Sequence, residues 1–470
     1  MAELILPGVY IETRAEALIV PGPISVGNIG IVGTASNGPV GEVQVLSGYA
    51  DAREIFGPYD SFESPTLANN PLTLVRALEL AYANGASTVY AVRVANTSVA
   101  EAAPDPTAMG ANATIFDLQA KSPGTAGNSI TVKIEDAPPS SRKVTIKSGA
   151  VEEFYTVTTG ADLVTQISAN SALVNATADT NSGNQPALIT TAVPFTGGVD
   201  GADATQTQYA EGLEKLTNQN AHIIVAAGQS DNIIADELLA HVNNASTDDV
   251  RRDRIAVVGS RAMTGTNVST FLGQISTPAV SSDRIIYVTP GVRVSDAAAG
   301  REVRLPGAYA AAAVAGMLSA RSPHISLTNK AVAVGGLEVE FNAGQLKQLV
   351  QSGVLALEKR RGFRVVKGIT TDTGAFQQIS TRRIVDFAKF GVRGAAEPFI
   401  GLLNNDRVRK ASKGSINGFL ADMVTDEMLI SYELDVTATR DEEIRGIARV
   451  TMTVRPTFSI DYIKVVIFLG

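Results

Sequence analysis

His222-Ile-Ile-Val-Ala-Ala227, Arg254-Ile-Ala-Val-Val-Gly259 and Arg284-Ile-Ile-Tyr-Val-Thr289 punctuate a single stretch of the chain. Each run is apolar without alternation, the pattern of a strand buried on both faces. Helical periodicity lies beside and between them, over Thr205 to Asn218 and Asp231 to Asn243. Apolar strands separated by helices indicate an α/β sheet covered on both sides. Working outward, Val26-Gly-Asn-Ile29-Gly-Ile31-Val32-Gly33, Val43 to Leu46 and Thr88 to Val94 read as further strands of the same layer. A short helix over Tyr49 to Phe56 and a second one opening at Asn70-Pro71, with Leu74, Ala77, Leu78 and Ala81 on one face, cross between them. The Ala-rich run from Ala308 to Ala320 is too short to span a bilayer and reads as a buried helix.

Two stretches break this alternation. From about Ala100 to Gly198 the chain is rich in Thr, Ser, Asn and Pro, with strand signals at Thr114 to Ala120, Ser129 to Glu135, Arg142 to Lys147 and Glu153 to Thr158 and one helical piece from Ala161 to Leu173. It reads as an inserted β-rich domain of acidic character, with five basic residues against ten acidic ones when Asp200 at its exit is included. From Leu346 to Lys413 the balance reverses to 14 basic against five acidic, in a chain whose net charge is −8. A hairpin of Leu429 to Thr437 and Ile444 to Val454, turning through Arg440-Asp-Glu-Glu443, follows.

The closing run Ile460-Asp-Tyr-Ile-Lys-Val-Val-Ile-Phe-Leu469 is β-branched and aromatic, with its two charges early. It either completes a sheet of its own subunit or pairs with another copy. Leu4-Ile-Leu-Pro-Gly-Val-Tyr-Ile11 is a second short extended segment, and the twenty or so residues around it reach roughly 70 Å when extended. Two sticky ends suggest strand exchange between subunits.

At 470 residues, 45% apolar and 18% charged, the chain fills two to four domains. Its acidic balance argues against a general nucleic-acid binder. The absence of cysteine removes disulfides, thiolate metal sites and a thiol nucleophile. The opening residues lack the basic region and long apolar core of an export signal, which gives the expectation of a soluble chain assembled in the cytoplasm. His222, His241 and His324 are the only histidines, and no glutamate sits beside the helical His241. G-x-x-x-x-G-K-[ST], H-E-x-x-H and G-x-S-x-G are all missing, and Gly27, Gly30 and Gly33 do not have dinucleotide-site spacing. The expectation is a protein that is not an enzyme and carries no catalytic residue, cofactor or metal. The basic stretch has three readings: a solvated face, a nucleic-acid surface without a recognised module, or a complement to an acidic protein surface.

Several segments, in this order, resemble the contractile tail sheath proteins of contractile phage tails, tailocins and related injection systems. They are Pro7-Gly-Val-Tyr-Ile11, Ser122-Pro-Gly-Thr-Ala-Gly-Asn-Ser-Ile-Thr-Val132, Phe195-Thr-Gly-Gly-Val-Asp-Gly201, Val288-Thr-Pro-Gly-Val292, Leu305-Pro-Gly-Ala-Tyr-Ala-Ala311, Ala315-Gly-Met317, Arg382-Arg-Ile-Val385, Glu397-Pro-Phe399 and Asp461-Tyr-Ile-Lys-Val465. The resemblance implies an α/β and α+β multidomain chain. Its parts are an N-terminal extended arm (1–22), an α/β middle domain (23–98 and 199–344), an inserted outer domain (99–198), a C-terminal tube-facing α+β domain (345–456) and a C-terminal strand arm (457–470). It further implies a subunit of a helical homo-oligomeric sleeve that contracts around an inner tail tube, with baseplate and tail terminator proteins as further partners and neither nucleic acid nor inserted membrane. The arms, through Val9, Tyr10, Ile11, Tyr462, Ile463, Val465, Ile467 and Phe468, add strands to neighbouring subunits. The candidate tube-facing residues are Arg407, Arg409, Lys410 and Lys413. The competing class is a coat or binding module for carbohydrate or nucleic acid, without contraction.

Overall fold

The computed structural model describes residues 27–62, 72–96, 115–201 and 204–469. The sequence readings at Val9, Tyr10 and Ile11, at Asn70-Pro71 and at residues 97–114 lie outside them. Two compact units are present, one of Gly27–Arg321 with Leu327–Gln377 and one holding Ser322–Ser326 with residues 378–469.

The larger unit is built on an eight-stranded sheet. Six parallel strands, in the order Val354–Lys359, Ile285–Thr289, Ile255–Gly259, Ile223–Ala226, Ile29–Gly33 and Val89–Arg93, form its centre. Antiparallel Phe363–Val365 and Val43–Leu46 close the two edges. The three runs that announced the sheet are neighbours within it, buried on both faces. One face is covered by the helix Gly307–Ser319, buried over all but its last residue. Its small side chains have a reason: a Cβ on Gly259 would stand 1.8 Å from the Gly307 carbonyl oxygen. Helix and sheet backbones touch there, and only glycine permits it. The other face carries the helices Gln206–Lys215, Asp231–Ala245, Val268–Ile275 and Ala343–Gln351, whose Leu213, Leu238, Ile275 and Leu349 share one core with Val32, Ile224, Ala256 and Tyr287.

The strand Val354–Lys359 corrects one expectation. The composition change at residue 345 does not mark the C-terminal boundary, because Tyr287, Val288 and Thr289 pair with Val354, Leu355 and Ala356 and tie that segment into the large sheet. The compact C-terminal unit starts instead at Gln378. Lys359 ends the strand Val354–Lys359, and Arg360 and Arg361 form the turn of an edge hairpin, where exposed charge discourages edge-to-edge pairing.

The insertion packs around its own core of Phe116, Ile134, Ile146, Leu163 and Phe195. It has a four-stranded antiparallel sheet, a two-stranded pair and the helix Gly160–Asn170. That helix stops three residues short of the sequence expectation because Val174–Ala178 pairs with Phe116–Ala120. Arg93, wholly buried at the end of a sheet strand, fixes the crossing point. It donates from Nη1 to the carbonyls of Gly38 (2.7 Å) and Pro123 (2.6 Å) and from Nη2 to that of Asp200 (3.2 Å). The Asp200 carboxylate in turn accepts from the Thr125 N–H at 2.6 Å. Burial pulls the Arg93 pKa down to about 10, which still leaves it charged at neutral pH.

Candidate inter-subunit surface

The smaller unit is an α+β sandwich of two helices under a hairpin. Ile379–Ala396 packs on Asp406–Thr425, and Gly391 lets the Phe419 ring come so close that any Cβ would stand 1.9 Å from it. Phe387 lies 5.7 Å away from Phe419, centroid to centroid. The second helix begins as its sequence says, with the Asn405 side chain accepting from the Val408 N–H at 3.0 Å. The hairpin strands are Leu429–Thr437 and Arg449–Pro456, eight and more residues each. The turn differs from the expectation: Arg440–Ile444 is a short helix closed by a Thr439/Glu442 capping box, and the second strand starts at Arg449 rather than Ile444.

The two strands form a sheet of their own, so each has an outer edge with no partner strand among the described residues. One face is apolar, with Tyr432, Leu434 and Val454 packed against the helical core of Ile416, Phe419 and Leu420. The Tyr432 hydroxyl reaches the Asn417 carbonyl at 3.1 Å. The opposite face carries Glu433, Asp435, Thr451 and Thr453, all exposed.

The closing segment does not return to this sheet. Thr457 extends the ladder by one bond to Met428, and the Gln378 side chain donates to Asp461 (3.2 Å) and accepts from the Ser459 N–H (3.4 Å). Beyond Asp461 no residue to 469 takes part in a strand, and Tyr462, Ile463, Val465, Ile467 and Phe468 are all largely exposed. Among the described residues, this run therefore adds no strand to a sheet of its own subunit.

The basic helix is more balanced than its sequence implies. Arg409 pairs with Glu443 at 3.0 Å, Lys413 with Asp435 at 3.1 Å and Lys410 with Asp406 at 2.7 Å, while Arg407 is exposed. Arg440 and Arg409 hold the Glu443 carboxyl below its usual range by hydrogen bonding. Over residues 378–470 there are 13 basic and 12 acidic residues, so the excess counted from Leu346 vanishes once the hairpin's carboxylates are included.

No group of His, Asp and Glu able to hold a metal occurs among the described residues. His241 faces the Arg254 guanidinium at 3.0 Å, and burial with that neighbour pulls its pKa down to about 3, so it is a neutral structural acceptor. No described helix is long and apolar enough to cross a membrane.

Residues 202–371 match the family model described as the phage tail sheath protein central domain. This stretch is similar to a tail sheath central domain. The matched region includes the Val288 to Val292 and Leu305 to Ala311 motifs. The tail sheath protein of Bacillus phage SP01 is 27% identical over 237 residues, 48% of this chain and 40% of that protein, so the chain spans well under two thirds of that relative. The same fold recurs in the sheath tail protein of Listeria innocua, at TM-score 0.69 and 17% identity over 95% of both chains. It recurs again in the helical sheath of the anti-feeding prophage in its contracted state, at TM-score 0.55 and 16% identity over 98% of this chain and 99% of that one. The α/β and α+β multidomain class and the tail sheath resemblance therefore hold.

Proposed function

We propose that this chain is a structural subunit of a contractile sheath, which polymerises into a helical sleeve around an inner tube and contracts to drive the tube through a target envelope. The observation that supports it most is the pairing, in one subunit, of an exposed apolar segment at residues 462–469 with a hairpin whose outer edges are open. An added strand contributes main-chain hydrogen bonds worth about 0.5–1.5 kcal/mol each net and buries alternate side chains. The acceptor lies on another copy, so the contact is heterologous and grows a helical filament from one kind of subunit. Flexible joints of this sort let the bodies between them move to a second packing while the strands stay paired. Contraction then needs only that the second packing be lower in free energy. No nucleotide site is required.

In this reading Val9, Tyr10 and Ile11 form the second arm, and Arg407, Arg409, Lys410 and Lys413 face the tube. The tube, baseplate and tail terminator proteins are the remaining partners, and the particle assembles in the host cytoplasm as part of a virion tail or injection particle. Negative-stain electron microscopy of the purified chain tests the proposal. Hollow sleeves of uniform width are expected, and discrete particles at every concentration would overturn it.

A further inference from the structure

We infer that the cavity at the turn end of the hairpin receives Ile467 and Leu469 from the closing segment of a second copy. The inference rests on the strand-addition reading above and specifies where the added strand runs and ends. The cavity holds about 360 Å³ and is lined chiefly by Ile400, Leu403, Val408, Val436, Ile447 and Val450. It has room for roughly a dozen waters at ~30 Å³ each, and most of its wall is apolar. Ile400 and Leu403 are both 78% exposed on its rim, an unusual cost for a surface loop with nothing to cover. The Arg409 guanidinium at its edge is already engaged by Asn404 Oδ1 (2.9 Å) and Glu443 (3.0 Å), so the site presents no spare cation to an anionic ligand. An apolar occupant fits.

Three observations select which one. The same chain exposes the apolar residues 463–469, which lie in no strand among the described residues. The lengths also agree: residues 463–469 and residues 450–456 of the strand Arg449–Pro456 are both runs of seven, about 23 Å when extended. Laid antiparallel along that strand's open edge with Leu469 opposite Val450, the segment sets Ile467 opposite Met452 and Val465 opposite Val454, on the face of the hairpin that Val436 and Tyr432 turn to the helices, and its end reaches the place where the cavity opens. Facing decides the side chains. Ile463, Val465, Ile467 and Leu469 form one uninterrupted apolar side, whereas Lys464 stands on the other with Tyr462, Val466 and Phe468. The hairpin is apolar on its helix side, and the cavity lies on that side because Val408 and Ser412 of the helix line it. Continuing the apolar face across the new strand places Ile467 and Leu469 in the cavity and leaves Lys464 in water.

Cross-linking reads this directly, because the natural chain has no cysteine. A population carrying Leu469→Cys is mixed with one carrying Leu403→Cys, assembled, oxidised and run on a non-reducing gel. Both positions are exposed, so neither change disturbs the subunit. A covalent dimer for this pair, absent when Arg455→Cys replaces Leu403→Cys, is the expected result. A dimer with Arg455→Cys instead reverses the strand and overturns the docking while leaving strand addition standing. Capture of Leu403→Cys by Tyr10→Cys assigns the cavity to the other arm and overturns it too. Closure within a single copy carrying both Leu469→Cys and Leu403→Cys overturns docking and exchange together. As a second readout, Leu469→Asp is expected to raise the concentration needed for assembly at least about tenfold. Phe468→Asp, on the other face, is expected to have much less effect, and equal effects would refute the facing.

Discussion

Removing residues 462–470 while keeping Asp461 separates subunit stability from assembly. The cut preserves the bonds that tie Ser459 and Asp461 to Gln378. Ile463, Val465, Ile467 and Leu469 are 74–96% exposed in the subunit, so their loss removes almost no internal burial. Stability is expected to change by less than about 0.5 kcal/mol, or under about 2 °C in melting temperature for a chain of this size. In a sleeve the same four side chains are buried, at no less than roughly 1.5 kcal/mol each, about 6 kcal/mol in total. The main-chain hydrogen bonds of the added strand go largely to offset the cost of ordering it. Six kcal/mol is about four orders of magnitude in an equilibrium constant, enough to abolish sleeves at any practical concentration. Sedimentation velocity together with calorimetry measures both quantities. A truncated chain that still forms full-length sleeves would refute the reasoning, and so would a melting temperature lowered by more than about 5 °C, which would mean that the segment packs on its own subunit.

Three further outcomes follow from other parts of the molecule. Gly259→Ala is expected to cost several kcal/mol and leave little folded protein, because its Cβ would stand 1.8 Å from the Gly307 carbonyl; wild-type chemical denaturation would contradict this. Asp231 accepts from the Ala279 N–H through Oδ2 (2.7 Å) while Oδ1 is buried with no hydrogen-bond partner, and burial raises its pKa to about 6. Glu338 is likewise raised to about 6 by burial. Because the folded values lie above the unfolded ones, the stability these groups contribute is fully present below about pH 4 and lost as pH rises through about 6. Asp231→Asn is therefore expected to flatten the pH dependence and to gain about 1–3 kcal/mol at pH 8, and a loss there would count against the assignment. Reversing Arg407 and Lys410 to Glu is expected to leave the subunit folded but impair assembly around the tube, as seen by co-sedimentation with tube protein; unimpaired co-assembly would remove these residues from the tube-facing surface.

The central sheet was legible because strands buried on both faces must be apolar throughout, and Ile223–Ala226, Ile255–Gly259 and Ile285–Thr289 are. The edge strand Phe363–Val365 was not, since its surrounding arginines serve an exposed edge and mimic a change of domain. Val174–Ala178 and Ile189–Pro194 escaped notice for a related reason: most of their side chains are exposed or half-buried, so little hydrophobic pattern is left to read. The basic helix misled, because Lys413 meets Asp435 and Arg409 meets Glu443 across more than twenty residues of sequence, which a local charge count does not see.

Amide hydrogen exchange at residues 462–469, measured on the dispersed subunit and again on assembled sleeves, addresses strand exchange most directly. The account predicts exchange at near-random-coil rates in the subunit and strong protection in the sleeve, alternating along the segment as one edge of a ladder requires. Protection already present in the dispersed subunit, or none in the sleeve, would contradict it.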